Sequence, residues 1–136
     1  MAERRHFKLV FDGGSHGNPG RSYGSFHVRP WKSKAGKLTR VEFGQGTNNE
    51  AEYWTLQTGL RALRAFLEGA GVPLSQVELE IRGDSQLVIF QVEGRWKAKD
   101  ARMRALRDET RGLLKGFGKV VLLHHERSES VRLLGH

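Results

Sequence analysis

Three acids stand where the local sequence would let them do chemistry: Asp12, Glu52 and Asp84. Asp12 ends the alternating, β-rich segment His6–Asp12, where the strand is expected to run into a glycine-rich turn over Gly13–Gly20 whose small residues let backbone amides approach a ligand closely. Glu52 falls in the first turn of a long amphipathic segment, four residues before Leu56, so it projects beside the apolar stripe. Asp84 ends another β-rich run and is followed by Ser85 and Gln86. Strand ends are where open sheets place their chemistry, so acids from separate elements could converge at one rim. Converged carboxylates repel one another unless a cation compensates. An oxygen-only donor set favours Mg²⁺ or Mn²⁺ over zinc, and two such ions about 4 Å apart can cleave a phosphodiester by activating water and stabilising the leaving oxygen. Singly, each acid has a plainer role: Asp12 in satisfying turn amides, Glu52 as an acid favoured by the helix dipole, Asp84 as a helix cap.

The bulk properties fit a polyanionic partner. The chain carries 23 Lys+Arg against 15 Asp+Glu, a formal charge of +8, and neutralising phosphates with such an excess releases condensed counterions. The absence of cysteine excludes disulfides, thiolate metal sites and cysteine nucleophiles. No stretch approaches the roughly 20 apolar residues of a membrane span. The opening Met-Ala-Glu-Arg-Arg-His lacks a secretory apolar segment, which predicts a cytoplasmic protein.

The elements that must position these acids follow from periodicity. Strands are expected over His6–Asp12, Ser22–Arg29 and Leu38–Gln45, the latter two joined by a polar turn at Lys32–Lys37, as an antiparallel meander. From Asn49 to Glu68 the period changes: Tyr53, Leu56, Leu60, Leu63 and Leu67 form one helical stripe, which Gly69, Gly71 and Pro73 end. Val77–Ile81 reads as a fourth strand, and Asp84 or Ser85 as the cap of a short helix ending near Val92. After the loop Glu93–Lys99, Asp100 is expected to cap a helix with Met103, Leu106, Leu113 and Leu114 inward and Arg104, Arg107, Arg111 and Lys115 outward. Lys119–Leu123 is a fifth strand and Ser128–Leu134 a last short helix. The order βββ-α-β-α-α-β-(α) predicts an α/β fold, one mixed sheet flanked by helices, in a single domain over residues 1–136.

The text around the acids resembles type 1 ribonuclease H. The segments Asp12–Gly20 (DGGSHGNPG), Thr47–Tyr53 (TNNEAEY) and Gly83–Val88 (GDSQLV) fall in that family's order and spacing, with a weaker match at Gly94–Lys99 (GRWKAK). The resemblance runs from about Phe7 to Arg132. It implies the ribonuclease H-like fold, with a five-stranded mixed sheet of three antiparallel and then parallel strands. It also implies metal-dependent endonucleolytic cleavage of the RNA strand of RNA/DNA hybrids to 5′-phosphate and 3′-hydroxyl ends, by a monomer using Mg²⁺ or Mn²⁺, two ions with substrate bound. Residue by residue, Asp12, Glu52 and Asp84 match three of the family's four metal-binding acids. Asn18, Asn48 and Gln86 match its minor-groove contacts, aided by the amides of Gly13, Gly14 and Ser15. Thr47 matches a residue gripping a DNA-strand phosphate, and Trp96 and Lys97 match the surface beside the DNA strand, where Trp96 could equally be ordinary packing.

The chain also departs from the pattern. Only the short Glu93–Lys99 loop stands where some members carry an inserted basic segment, so the grip on substrate is expected to be weaker or to rely on Arg104, Arg107 and Arg111. Arg127-Ser128-Glu129-Ser130-Val131-Arg132 follows the family's final helix, which puts the fourth acid at Leu134. Two repairs are open: His136 as an imidazole ligand, which would favour Mn²⁺, or Glu129. His136 could equally be a frayed terminal residue. His124 and His125 are expected to be structural or to face substrate. The alternatives to an active ribonuclease H are therefore a hybrid-binding module that lost turnover with its fourth acid, or a nuclease for duplex or junction DNA, against which Asn48 and Gln86 argue.

Overall fold

The computed structural model describes residues 5–31 and 37–134, so most of the expected Lys32–Lys37 turn and His136 lie outside the described residues. The elements are β1 (Arg5–Gly17), β2 (Gly20–Pro30), β3 (Lys37–Gly46), α1 (Asn48–Gly69), β4 (Val77–Gly83), α2 (Gln86–Glu93), α3 (Ala101–Leu114), β5 (Lys119–His124) and α4 (Arg127–Leu134), with a 3₁₀ turn at Leu74–Gln76. The sheet order is β3-β2-β1-β4-β5. β1 pairs antiparallel with β2, and β2 with β3, while β1–β4 and β4–β5 are parallel. This is the five-stranded mixed sheet that the sequence predicts. No helix among the described residues is long and apolar enough to cross a membrane.

One expectation needs correcting. Gly13, Gly14 and Ser15 are not a turn: β1 continues through them, pairing Gly13 with Gly24 and Gly14 with Tyr23, and the chain reverses only at Asn18-Pro19. The glycines serve helix-on-sheet approach instead. A Cβ at Gly13 would stand 2.6 Å from the Ala51 carbonyl oxygen, so glycine there lets the first turn of α1 lie directly on the strand.

The α1 stripe is as the periodicity requires. Tyr53, Leu56, Leu60, Leu63 and Leu67 are buried against Phe7, Leu9 and Phe11 of β1 and Leu79 and Ile81 of β4, each large apolar side chain contributing about 2 kcal/mol by its burial. Thr47 caps α1 with a full capping box: its hydroxyl accepts from the Glu50 N–H (3.1 Å), and the Glu50 carboxylate accepts from the Thr47 N–H (3.0 Å). Gly71, at φ +69°, turns the chain away after α1. Ser85, not Asp84, caps α2 by accepting from the Val88 N–H; Asp84 is thereby left to the sheet rim. Asp100 caps α3 by accepting from Met103 at 2.8 Å.

The main core lies between α1 and the sheet, with α3 packed on α1. Alternation directs Val10 to the opposite face. Val10 and Leu134 of α4 are both buried outside the main core cluster, and α4 packs on β1 and β2, closing that second face.

Candidate active site

Parallel pairing brings two acids together. The β1–β4 register matches Phe11 with Gly83, so the residues that follow, Asp12 and Asp84, emerge side by side at the same sheet rim. The third arrives on α1. Its first turn rests on Gly13, and the Glu52 carboxylate accepts a hydrogen bond from the Gly13 N–H at 3.0 Å. Oxygens of Asp12, Glu52 and Asp84 lie within 4.8 Å of one another.

Burial makes this cluster electrostatically demanding. Asp12 is 3% exposed and Glu52 9%. Burial first, and then the charges of Asp12 and Asp84, hold the Glu52 carboxyl well above the ordinary carboxylate range, against the Gly13 N–H, which pulls the other way. The donor set is all oxygen and negatively charged when ionised, which suits a hard divalent cation. Such an ion would offset the repulsion among these carboxylates and favour their ionised forms.

The cluster has a cation of its own. A single guanidinium nitrogen of Arg127, Nη1, donates to Asp12 Oδ2 at 2.9 Å and to Asp84 Oδ2 at 3.1 Å. These acids, Asp12 foremost, hold Arg127 still more firmly in its charged form. In the sequence, Arg127 stands out only as part of the family's ending. Its position before a helix, just past a strand end, is the sole signal in the sequence, and no spacing rule predicts its reach across the sheet.

Polar residues cluster beside the acids. The Asn48 side-chain oxygen accepts from the Ser15 N–H (2.9 Å) and hydroxyl (3.1 Å), and the Asn48 N–H donates to the Asn18 side-chain oxygen (3.0 Å). This ties the β1–β2 hairpin to the start of α1. Gln86 is exposed on the first turn of α2.

The reverse transcriptase-like family model matches residues 11–132. The solved ribonuclease H1 of Halobacterium salinarum is 33% identical, superposes with a TM-score of 0.82, and is covered over 90% of its length by 93% of this chain. The chain belongs to the ribonuclease H1 family. Among curated proteins, the Ribonuclease HI of that archaeon is 35% identical over 90% of this chain. The Bifunctional protein Rv2228c of Mycobacterium tuberculosis is 36% identical over 80% of it. The chain spans 57% and 28% of their respective lengths. A further ribonuclease H1, LC11, solved in complex with an RNA/DNA hybrid, is 26% identical with a TM-score of 0.82 over 93% of this chain and 89% of its own.

Leu134, which the resemblance sets against the family's fourth acid, is buried, 1% exposed. Of the two repairs, His136 lies outside the described residues. Glu129 is bound by Arg132 at 2.6 Å and stands outside the carboxylate group found among the described residues. Both neighbouring histidines are held structurally. His124 Nε2 meets the Asp84 backbone oxygen at 3.2 Å. His125 is buried with Nε2 2.8 Å from the Ser130 hydroxyl, and burial lowers its pKa below the ordinary value.

The outer arginines are less free than their spacing suggests. Arg111 donates to the Val92 (3.1 Å) and Gln91 (3.2 Å) carbonyls, and Arg104 to the Lys99 carbonyl (2.8 Å). Arg107 pairs with Asp108 at 3.0 Å. Arg104 thus fastens the end of the loop that carries Trp96 and Lys97, Arg111 holds the last turn of α2 that leads into it, and Arg107 pairs within α3. Trp96 is 45% exposed, edge-on to Phe90 at 5.0 Å between centroids, and Lys97 is exposed. Trp96 is thus both packed on one edge and open on the other.

Proposed function

We propose that this chain is an RNA/DNA-hybrid endoribonuclease acting through divalent ions, Mg²⁺ or Mn²⁺, held by Asp12, Glu52 and Asp84. The observation that carries the reading is the meeting of acids from β1, α1 and the end of β4 within 4.8 Å, in a chain of this family. Bound there, two divalent ions would activate a water for in-line attack and stabilise the leaving oxygen, giving 5′-phosphate and 3′-hydroxyl ends. The protein's own residues then orient the hybrid. Asn18 and Asn48 use their side-chain oxygens within the protein, and no described hydrogen bond uses either NH₂ group. Those groups suit acceptors of a minor groove and the RNA 2′-OH, the group that tells RNA from DNA. Gln86, exposed at the start of α2 two residues after Asp84, supplies a third amide, and the Gly13–Ser15 backbone adds its amides. The Thr47 hydroxyl accepts within its cap and keeps its hydrogen to donate to a phosphate. Exposed Trp96 and Lys97 offer a ring face and a cation to the DNA strand. The hybrid bound by LC11 supports this assignment of substrate.

A labelled RNA/DNA hybrid incubated with Mg²⁺ and with Mn²⁺ tests the reading. Cleavage of the RNA strand that Asp12→Asn abolishes is the expected result. No cleavage with either ion, or cleavage that survives Asp12→Asn, overturns it.

Burial of Leu134 favours a second reading, a hybrid-binding module with impaired turnover. Tight hybrid binding without cleavage, with activity gained by Leu134→Asp, would select it.

A further inference from the structure

The acids' contact with Arg127 bears on how an ion could enter. The two oxygens joined by Arg127 Nη1, Asp12 Oδ2 and Asp84 Oδ2, belong to the same carboxylates that offer ligand atoms to an ion. An arginine is permanently charged, so loss of its proton cannot remove the charge from the site. A divalent ion takes its oxygen ligands at about 2.0–2.6 Å, whereas Nη1 stands at 2.9 and 3.1 Å from these oxygens. One carboxylate oxygen can serve both only in part, and the two cations repel at such range. Arg127 is also able to leave. Its side chain is 65% exposed, and it heads α4 on a long flexible stem. The fourth family place holds buried Leu134, not an acid, so among the described residues three carboxylates face one built-in positive charge.

We propose that Arg127 is the resident counter-ion of the Asp12–Asp84 pair and competes with the divalent ion for it. This rests on the metal-binding reading above. The free protein therefore binds the ion more weakly than its carboxylates alone would, and binding requires the guanidinium to swing outward. A phosphate is a strong alternative partner for a displaced guanidinium, so an arriving nucleic-acid backbone gives Arg127 somewhere to go.

The test is titration of the full-length protein with Mn²⁺, following free Mn²⁺ by its electron paramagnetic resonance signal, with no nucleic acid present. Arg127→Met keeps much of the stem and removes the charge and donors; Arg127→Ala repeats the test with the stem gone. Arg132→Ala removes the same unit charge from a side chain that pairs with Glu129. Displacing a guanidinium from a partly exposed ion pair corresponds to about tenfold in affinity, or about 1.4 kcal/mol. We expect Mn²⁺ to bind about tenfold more tightly to both Arg127 variants, and Arg132→Ala to stay within about twofold of the parent because an unconnected surface charge is screened by salt. Equal affinity in parent and Arg127 variants, or an equal gain from Arg132→Ala, overturns the competition while leaving the metal site standing. Failure of parent and variants alike to bind Mn²⁺ overturns the metal reading and the competition with it. Circular dichroism of each variant confirms that a loss of binding is not a loss of fold.

Discussion

Leu134 can be made to report on both stability and chemistry. Its side chain is 1% exposed at the end of α4, on the sheet face opposite α1. Leu134→Ala removes buried methyl groups and leaves a partly collapsed cavity, which costs about 3 kcal/mol in comparable cores. Unfolding entropies of about 2.1 cal/mol/K per residue convert that into a fall in Tm of about 10 °C for a chain of this size. Leu134→Asp loses the same apolar contacts and also buries a carboxyl. Without metal it should cost more than the alanine variant, about 4 kcal/mol or above. Urea melts of the three proteins in chelator, with m held common, measure these differences. Adding Mn²⁺ then separates two cases. If the new carboxylate reaches the acids, the ion binds the native Asp variant more tightly and raises its stability by more than it raises the parent's. If the end of α4 holds residue 134 away from the acids, the ion rescues neither variant beyond the parent's gain. A Leu134→Asp protein within about 0.5 kcal/mol of the parent in chelator would refute the assignment of Leu134 to the core.

Three other outcomes follow from the same geometry. Glu52 has a folded pKa above its unfolded one, so the metal-free protein loses stability from this group as pH rises from the ordinary carboxylate range toward the raised value, and none below it. Glu52→Gln should therefore be more stable than the parent in chelator at pH 7, match it at low pH, and fail to cleave hybrid; paired urea melts at the two pH values decide. In the parent, Mn²⁺ binding should release a proton, seen as a buffer-dependent enthalpy in calorimetry. Gly13→Ala sets a methyl 2.6 Å from the Ala51 carbonyl, which should cost about 1–3 kcal/mol and lift Glu52 from Asp12, abolishing activity; thermal melts and the cleavage assay read both. Arg111→Ala leaves the Gln91 and Val92 carbonyls without their guanidinium donor, which should cost about 1–2 kcal/mol and raise KM for hybrid more than it lowers kcat, as the Trp96–Lys97 loop loosens.

Much of this was legible in the chain because it depends on local periodicity. The stripe from Tyr53 to Leu67, the Asp100 cap and the five strands each follow from spacing within one element. The three acids were legible for a different reason: their surrounding motifs carry the family resemblance. The hairpin glycines were misjudged because a run of small residues reads as a turn when only the local chain is in view. Their real constraint is the backbone of α1, nearly forty positions away in sequence. For the outer arginines, helical spacing gives the face they share, but not the carbonyls of residues 91–99 that Arg104 and Arg111 reach beside it.

By itself, then, the sequence determined which elements form and which acids are available, and its resemblance to the family sets Leu134 against the fourth acid. Tertiary structure alone decided what surrounds that group. The parallel β1–β4 register sets Asp12 beside Asp84, helix-on-strand contact at Gly13 delivers Glu52, and Arg127 reaches both aspartates from 43 and 115 positions away. The physical reason is that charge interactions depend on distance through space, which periodicity along a chain does not record.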